Sequence, residues 1–188
     1  MITKKEYEET VKKVLETFQK AGIVLTKEEK EKIEVADFGL QQLKQVGLQL
    51  LTYVNTEKVC AKEMVLFPHQ TCPEHIHLDG VDENGTPYVG KEETFRVRKG
   101  TCYLYVSGEQ NVKQIRAILP PTKVTVFHEI VLHEGEQYTL YPNTWHWFQA
   151  GENGAIISEF STRSRDENDV FRDERIRRLP VIKGEEVC

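Results

Sequence analysis

The feature that most limits how this chain can fold is a pair of histidines two residues apart, His75 and His77. On an extended strand both imidazoles leave from the same face. Glu93 opens a second alternating segment and is separated from Gly100 by six residues, and a third histidine, His146, follows later. Three imidazoles and a carboxylate can hold a divalent metal ion and leave positions open for a substrate. The pattern predicts a metal site on neighbouring strands.

The carboxylate of this set has a direct competitor, Glu92. The six-residue distance to Gly100 favours Glu93, and only one of two adjacent strand residues can point inward. We expect four further possible ligands to lie at the surface or behind the site: Glu74, His69, His128 and His133.

The chain after Gly47 has the composition of an all-β domain. Short segments rich in β-branched, aromatic and aliphatic residues follow one another without intervening helices. This order favours an antiparallel sandwich or barrel, which we predict for residues 48–188. The predicted strands are 48–54, 58–67, 94–106, 123–128, 130–132, 135–141, 145–149 and 155–161.

The first 47 residues are predicted to be a helical appendage, 1–47, packed on that domain. Thr3, with Glu6 three residues later, is typical of a helix N-terminus, and apolar residues then recur at helical spacing as far as Gly22. Further short helices are predicted over residues 26–35 and 37–46.

Composition excludes several classes of partner. The chain has 188 residues, 39% of them hydrophobic and 29% charged, and a net charge of −5, which argues against nucleic acid. No apolar run approaches the roughly 18 residues of a membrane span, and the first residues lack the apolar core of a signal peptide. The four cysteines form no CxxC pair, so we expect reduced thiols and a cytoplasmic protein.

The spacing of the candidate ligands resembles the two sequence motifs of the cupin superfamily: His-x-His, then Glu, six residues and Gly, and later Pro and His. Two features differ from that pattern. Fifteen residues separate His77 from Glu93, where cupins have three or four, and we interpret residues 78–91 as a loop insertion. In the second motif Thr144 stands where glycine is usual, and His146 comes one residue early.

A closer resemblance, from about residue 37 to residue 178, is to the bacterial D-lyxose ketol-isomerase family. It implies a dimeric cupin-like β-barrel that binds Mn²⁺ and interconverts D-lyxose with D-xylulose and often D-mannose with D-fructose. It also implies that the metal ligands are His75, His77, Glu93 and His146. The resemblance rests on residues 37–40, 52–56, 61–63, 70–75, 90–96 and 146–151.

Aldose–ketose isomerisation needs a base for the proton that moves between C2 and C1, and an acid near the oxygens. Glu159 interrupts an apolar strand and is our candidate for the base, the alternative being an ion pair with an arginine. Lys62, flanked by apolar residues, is the candidate for protonating or orienting the oxygens, although a lysine at a strand edge can equally reach solvent.

Sugar binding is predicted for Lys62, Trp147, Asp169 and Arg172. The alternatives are core packing for the tryptophan and solvent or dimer contacts for the charged C-terminal residues. Three other functions share the motif: a cupin-type phosphosugar isomerase, a metal-dependent dioxygenase and a non-catalytic sugar-binding cupin.

Overall fold

The computed structural model describes residues 2–183, and most of this range is β-structure. The prediction of a mainly β protein with an N-terminal helix is confirmed. The helices are α1 (Lys4–Lys20) and α2 (Lys27–Lys30). The strands are β1 (Ile2–Thr3), β2 (Glu34–Ala36), β3 (Leu48–Asn55), β4 (Cys60–Leu66), β5 (Thr71–Ile76), β6 (Gly80–Val81), β7 (Pro87–Tyr88), β8 (Glu93–Val106), β9 (His128–His133), β10 (Gln137–Leu140), β11 (His146–Ser161), β12 (Val170–Phe171) and β13 (Ile182–Lys183).

Among the described residues, nine strands form one large sheet around two long central strands, β8 and β11, which pair antiparallel. The first part of β11 also pairs with β5, and its second part pairs with β4. The order continues through β3 to β2 on one side and from β5 to β12 on the other. We call the side with β4, β3 and β2 the first half-sheet and the side with β5 and β12 the second half-sheet. A cavity lined by residues of β3, β4, β5, β8, β11 and β12 lies between them. Within residues 2–183 no pairing joins the outer strands, so the sheet stays open where a closed barrel was one expectation.

Both central strands bend where the half-sheets meet. Gly100 and Gly154 have φ values of +78° and +76°, and a Cβ at Gly100 would lie 2.1 Å from the Gly154 carbonyl oxygen. Only glycine allows this approach without moving the backbone. The strands predicted over 145–149 and 155–161 are therefore one bent strand, β11, that serves both half-sheets.

The N-terminal segment differs from its prediction after α1. Helix α1 begins at the predicted capping box of Thr3 and Glu6. The helix predicted over 26–35 is the single turn α2, and Glu34 already belongs to β2, which pairs with β3.

No helix forms over residues 37–46. The Asp37 carboxylate accepts hydrogen bonds from the backbone N–H of Gly39 (3.0 Å) and of Gln41 (3.4 Å). Such local bonds offer the backbone an alternative to the helical pattern, and they fix a series of turns here.

The strand predicted over 123–128 is also absent. The backbone N–H groups of Thr125 and Val126 donate to the buried carboxylate of Glu74 instead of to a neighbouring strand. The segment therefore runs as an irregular connection in front of β9.

Residues 78–91 are not an unstructured insertion, because β6 and β7 pair as a small hairpin. The Tyr88 hydroxyl accepts a hydrogen bond from Asn168 Nδ2 (2.9 Å), and the Arg165 guanidinium lies 4.2 Å from the centre of the Tyr88 ring. The hairpin thus packs on the C-terminal segment that borders the cavity.

Helix α1 covers one face of the first half-sheet. Val14 and Phe18 pack there against Leu51, Val65 and Ile156. Burying such side chains stabilises the fold by about 1.5–3 kcal/mol each. Because side chains alternate along a strand, the opposite face of the same strands is free to line the cavity.

The cysteines within the described range, Cys60, Cys72 and Cys102, are buried and free, as predicted, whereas Cys188 lies outside it. Over residues 2–183 the helices lack the length and apolar character that crossing a membrane would require.

Candidate active site

The four predicted metal ligands converge on one point. His75 lies in the last part of β5 with His77 just beyond it, whereas Glu93 and His146 are the first residues of β8 and β11. The pairing of β11 with β5 places His146 opposite His75. All four residues are buried, and their ligand atoms lie within 4.8 Å of one another. This group could hold a metal ion.

Hydrogen bonds hold each imidazole with its Nε2 atom toward the centre. The Nδ1 atoms of His75 and His146 donate to backbone carbonyls two residues earlier, at 2.8 and 2.9 Å. His77 Nδ1 bonds to Asp169 Oδ1 at 2.6 Å. A carbonyl oxygen can only accept, so the proton of a neutral His75 or His146 lies on Nδ1 and leaves the Nε2 lone pair for a metal.

The contact between His146 and Glu93 indicates that a cation fits between them. His146 Nε2 lies 3.1 Å from Glu93 Oε1, yet this buried atom has no well-aligned hydrogen bond in the described part of the chain. Two electron-rich atoms at this distance repel each other unless a proton or metal ion lies nearby. The donor set, three imidazoles and a carboxylate, suits a divalent transition metal.

The protonation of the histidines adds to this picture. Burial and the two neighbouring histidines lower the pKa of His75 well below its usual value, so it is neutral. Burial and Lys91 lower the pKa of His77, but Glu93 and Asp169 outweigh them and raise it to about 9. A metal has to displace the proton on His77, so its affinity should increase with pH.

Glu93 and Glu92 should differ sharply as ligands. Glu93 is 1% exposed and Glu92 points to solvent, since adjacent strand residues alternate. We expect Glu93→Gln to weaken metal binding by a factor of about 10–100 or more, and Glu92→Gln to leave it within a factor of about two. Titration of both apoproteins with Mn²⁺ measures this, and the reverse ranking would contradict the assignment.

Beside the ligands lies a buried chain of opposite charges. Lys91 Nζ contacts Glu93 Oε2 at 2.7 Å and Glu159 Oε1 at 3.1 Å. Burial alone would lower the pKa of Lys91, but Glu159, Glu93 and Asp166 outweigh it and raise that pKa well above its usual value. Lys91 is thus a fixed cation that joins a metal ligand to a second carboxylate.

Lys62 points inward as predicted, but its ammonium group is already occupied. It donates to Ser164 Oγ at 2.8 Å and to both carboxylate oxygens of Asp166 at 2.9 and 2.8 Å. Its distance to Glu159 Oε1 is 3.8 Å. In this arrangement Lys62 holds the C-terminal segment against the cavity, and Lys91 is the lysine closer to the metal ligands.

Two of the predicted sugar contacts lie elsewhere. Trp147 follows the inward His146 and so points to the opposite face of β11, where it is fully buried and stacks on Tyr105 with ring centres 4.1 Å apart. Arg172 donates to Glu74 Oε1 at 3.1 Å and covers the Trp145 ring, outside the cavity. Asp169 does line the cavity.

The other possible ligands lie outside the group that could bind metal: Glu74, His69, His128 and His133. Sequence reasoning missed Lys91, although Lys91 and Glu93 are two apart and strand alternation places them on one face. It also missed Asp166 and Arg178, which pair at 2.7 Å beside the cavity. No spacing rule indicates these two, because the C-terminal segment that carries them is irregular.

Comparison with known proteins shows to which family the chain belongs. A family model described as D-lyxose isomerase matches residues 26–188. The D-lyxose/D-mannose isomerase of Thermosediminibacter oceani is 56% identical over 187 residues, 97% of this chain and 99% of the relative. This chain belongs to the D-lyxose isomerase family. The D-lyxose ketol-isomerase of Cohnella laeviribosi is also 56% identical, over 95% of this chain and 96% of its own length.

Membership of the D-lyxose isomerase family confirms the family prediction and, with it, the prediction of an aldose–ketose isomerase. The fold agrees with a more distant protein. The structure of Cellulomonas parahominis L-ribose isomerase superposes with a TM-score of 0.72 at 15% identity, and the match covers 96% of this chain and 98% of that one. At this identity the likeness concerns the fold alone.

Proposed function

We propose that this protein interconverts D-lyxose and D-xylulose, and D-mannose and D-fructose, by proton transfer through an enediolate. The observation that carries the proposal is the position of Glu159. This buried carboxylate is joined through Lys91 to the metal-ligand carboxylate Glu93, so a base lies next to a group that could hold a metal. The choice of sugars is supported by the names of two relatives, of which both include D-lyxose and one also includes D-mannose.

Each residue has a defined part in this proposal. A bound divalent ion would supply Lewis-acid polarisation of the sugar oxygens and stabilise the enediolate charge. Glu159 takes the proton from C2 of the aldose and returns it to C1, while the hydroxyl proton on O2 is transferred to O1. Lys91 has two of its three N–H donors on Glu93 and Glu159, and it donates the third to the oxygen on which charge develops. Asp169 keeps His77 in the orientation that binds metal.

The cavity favours a sugar without a phosphate group. Arg178, which lines it, is already paired with Asp166 and Glu34. A phosphate needs cations whose hydrogen bonds are available. We further propose, from the family resemblance, that the ion is Mn²⁺ and that the protein is a cytoplasmic homodimer.

A single panel tests the function. The protein is stripped of metal, reloaded with Mn²⁺, and incubated with D-lyxose, D-mannose and the phosphate esters of both. We expect ketose formation from the free sugars only, and only after loading. Ketose formed from the esters alone indicates a phosphosugar isomerase. Binding of the sugars without turnover indicates a non-catalytic cupin.

Lys91 and Lys62 form a matched pair for testing which lysine donates a hydrogen bond to the sugar oxygens. We expect Lys91→Met to lower kcat for D-lyxose by a factor of about 10² or more, because it removes the donor next to Glu159. Lys62→Met should lower kcat less, since Asp166 and Ser164 already occupy that ammonium. Neither change removes a metal ligand, so both variants should keep their ion in metal analysis. A larger loss of kcat in Lys62→Met than in Lys91→Met would instead assign the hydrogen bond to the sugar oxygens to Lys62.

A further inference from the structure

The cavity that begins at the metal ligands continues to two phenylalanine rings. The ring of Phe171 lies 5.5 Å from that of His75, and the ring of Phe38 lies 5.8 Å from that of Phe171. Both phenylalanines line the same cavity as Glu93 and Glu159. Phe38 is therefore one ring further from the metal ligands than Phe171 in the wall of this cavity.

The backbone of Phe38 is strained. Its φ is +51°, a left-handed conformation that a non-glycine residue adopts at a cost of about 1–3 kcal/mol. The turn of Asp37 holds it, and the Phe38 carbonyl accepts a hydrogen bond from Arg177 N–H at 2.9 Å. Phe38 is nonetheless only 1% exposed. Strained residues that are held in this way often serve a site.

Another part of the cavity wall is polar. Lys62, Asp166 and Arg178 form a continuous set of ion pairs there, and each lines the cavity. A sugar whose first two carbons lie at Glu159 and the metal ligands has its remaining carbons between this wall and the phenylalanines. Hydroxyl groups then face the charges, and C–H groups face the rings.

We propose that Phe38 determines how long an aldose the site accepts. This inference rests on the proposed function and extends it. D-Lyxose and D-mannose have the same configuration at C2, C3 and C4, and in the ring form D-mannose differs by one additional hydroxymethyl group. The Phe38 ring limits the space for that group, so its size sets the preference between five and six carbons.

The test is the ratio of kcat/KM for D-mannose to kcat/KM for D-lyxose in Mn²⁺-loaded protein. Phe38→Leu keeps a Cβ, and hence the same backbone strain, but shortens the side chain. We expect the ratio to rise about tenfold, as one methylene-sized change in a pocket changes selectivity by about 10–200-fold. Phe38→Trp should lower the ratio. Phe171→Leu, at a less buried ring, should raise it and carries the test if Phe38→Leu does not fold.

Phe18→Leu is the matched control, because Phe18 is equally buried but packs under α1, away from the cavity. It should lose stability and leave the ratio unchanged. An unchanged ratio in folded Phe38→Leu, or an equal rise in Phe18→Leu, overturns the inference and leaves the proposed function intact.

Failure of the proposed function has a different signature, since wild-type protein then turns over neither sugar. In that case the preference between five and six carbons is measured as the ratio of the binding affinities for the reduced sugars, D-arabinitol and D-mannitol, by calorimetry. A shift toward D-mannitol in Phe38→Leu supports the limit set by Phe38, and no shift overturns it.

Discussion

Protein in which His75 and His77 are both replaced by alanine is expected to hold no divalent ion. The change removes two of the four donors, and the remaining Glu93 and His146 already lie side by side and cannot enclose a cation alone. After loading with Mn²⁺ and gel filtration, metal analysis should find about one ion per chain in the wild type and none in the variant. Turnover of D-lyxose should disappear with the ion.

The matched control replaces two histidines outside the group, His128 and His133, with alanine. This variant should keep the ion and the activity, because neither side chain belongs to the set that could bind metal. Circular dichroism separates loss of metal from loss of fold. If the His75→Ala, His77→Ala protein is folded and still binds a full equivalent, the metal lies elsewhere.

That the four candidate ligands come together could be predicted from the sequence, because strand geometry determines the direction in which each side chain points. Two histidines two apart on or next to β5 must share a face, and the choice of Glu93 over Glu92 follows from the same alternation. Gly100 indicates the register of β8 for a physical reason. The central strands bend where Gly100 meets the Gly154 carbonyl oxygen, and a side chain at position 100 would collide with that oxygen. Patterns of this kind are local and survive in a single sequence.

The predictions differ from the structure where a side chain forms ion pairs or hydrogen bonds with residues that are distant in sequence. The sequence around Lys62 does not indicate a partner about a hundred positions later. In the structure the Lys62 ammonium nevertheless donates to both carboxylate oxygens of Asp166. Arg172 was expected at the sugar, but the buried Glu74 binds it. Such pairings depend on which strands become neighbours.

Trp147 differs from its expected position for another reason. Trp147 directly follows the inward His146, so strand alternation directs its side chain away from the cavity. An aromatic ring can stack on a sugar only if it reaches the cavity. Phe38 was missed for the opposite reason. Its helical prediction over 37–46 hid a left-handed turn that brings the ring to the cavity.

Glu159→Gln is expected to lower kcat for D-lyxose by a factor of about 10²–10⁴, the usual cost of losing a general base. The amide keeps the size of the side chain and can still accept from Lys91, but it cannot take a proton from C2. Metal content should not change, because Glu159 is not among the ligands. Exchange of the substrate C2 hydrogen with solvent, followed by NMR in D₂O, should slow in parallel with turnover.

Glu63→Gln is the control that separates this effect from the loss of any buried carboxylate. Glu63 is also buried, accepts hydrogen bonds from Ser158 Oγ at 3.0 and 3.1 Å, and does not line the cavity. Its replacement should leave C2 exchange unchanged. If instead Glu159→Gln retains its exchange rate and its ion, the proton is moved by another carboxylate. Asp169 and Asp166 also line the cavity and are then the alternatives. Asp166 lies 4.0 Å from Lys91, and Lys62 would have to release it for the reaction to proceed.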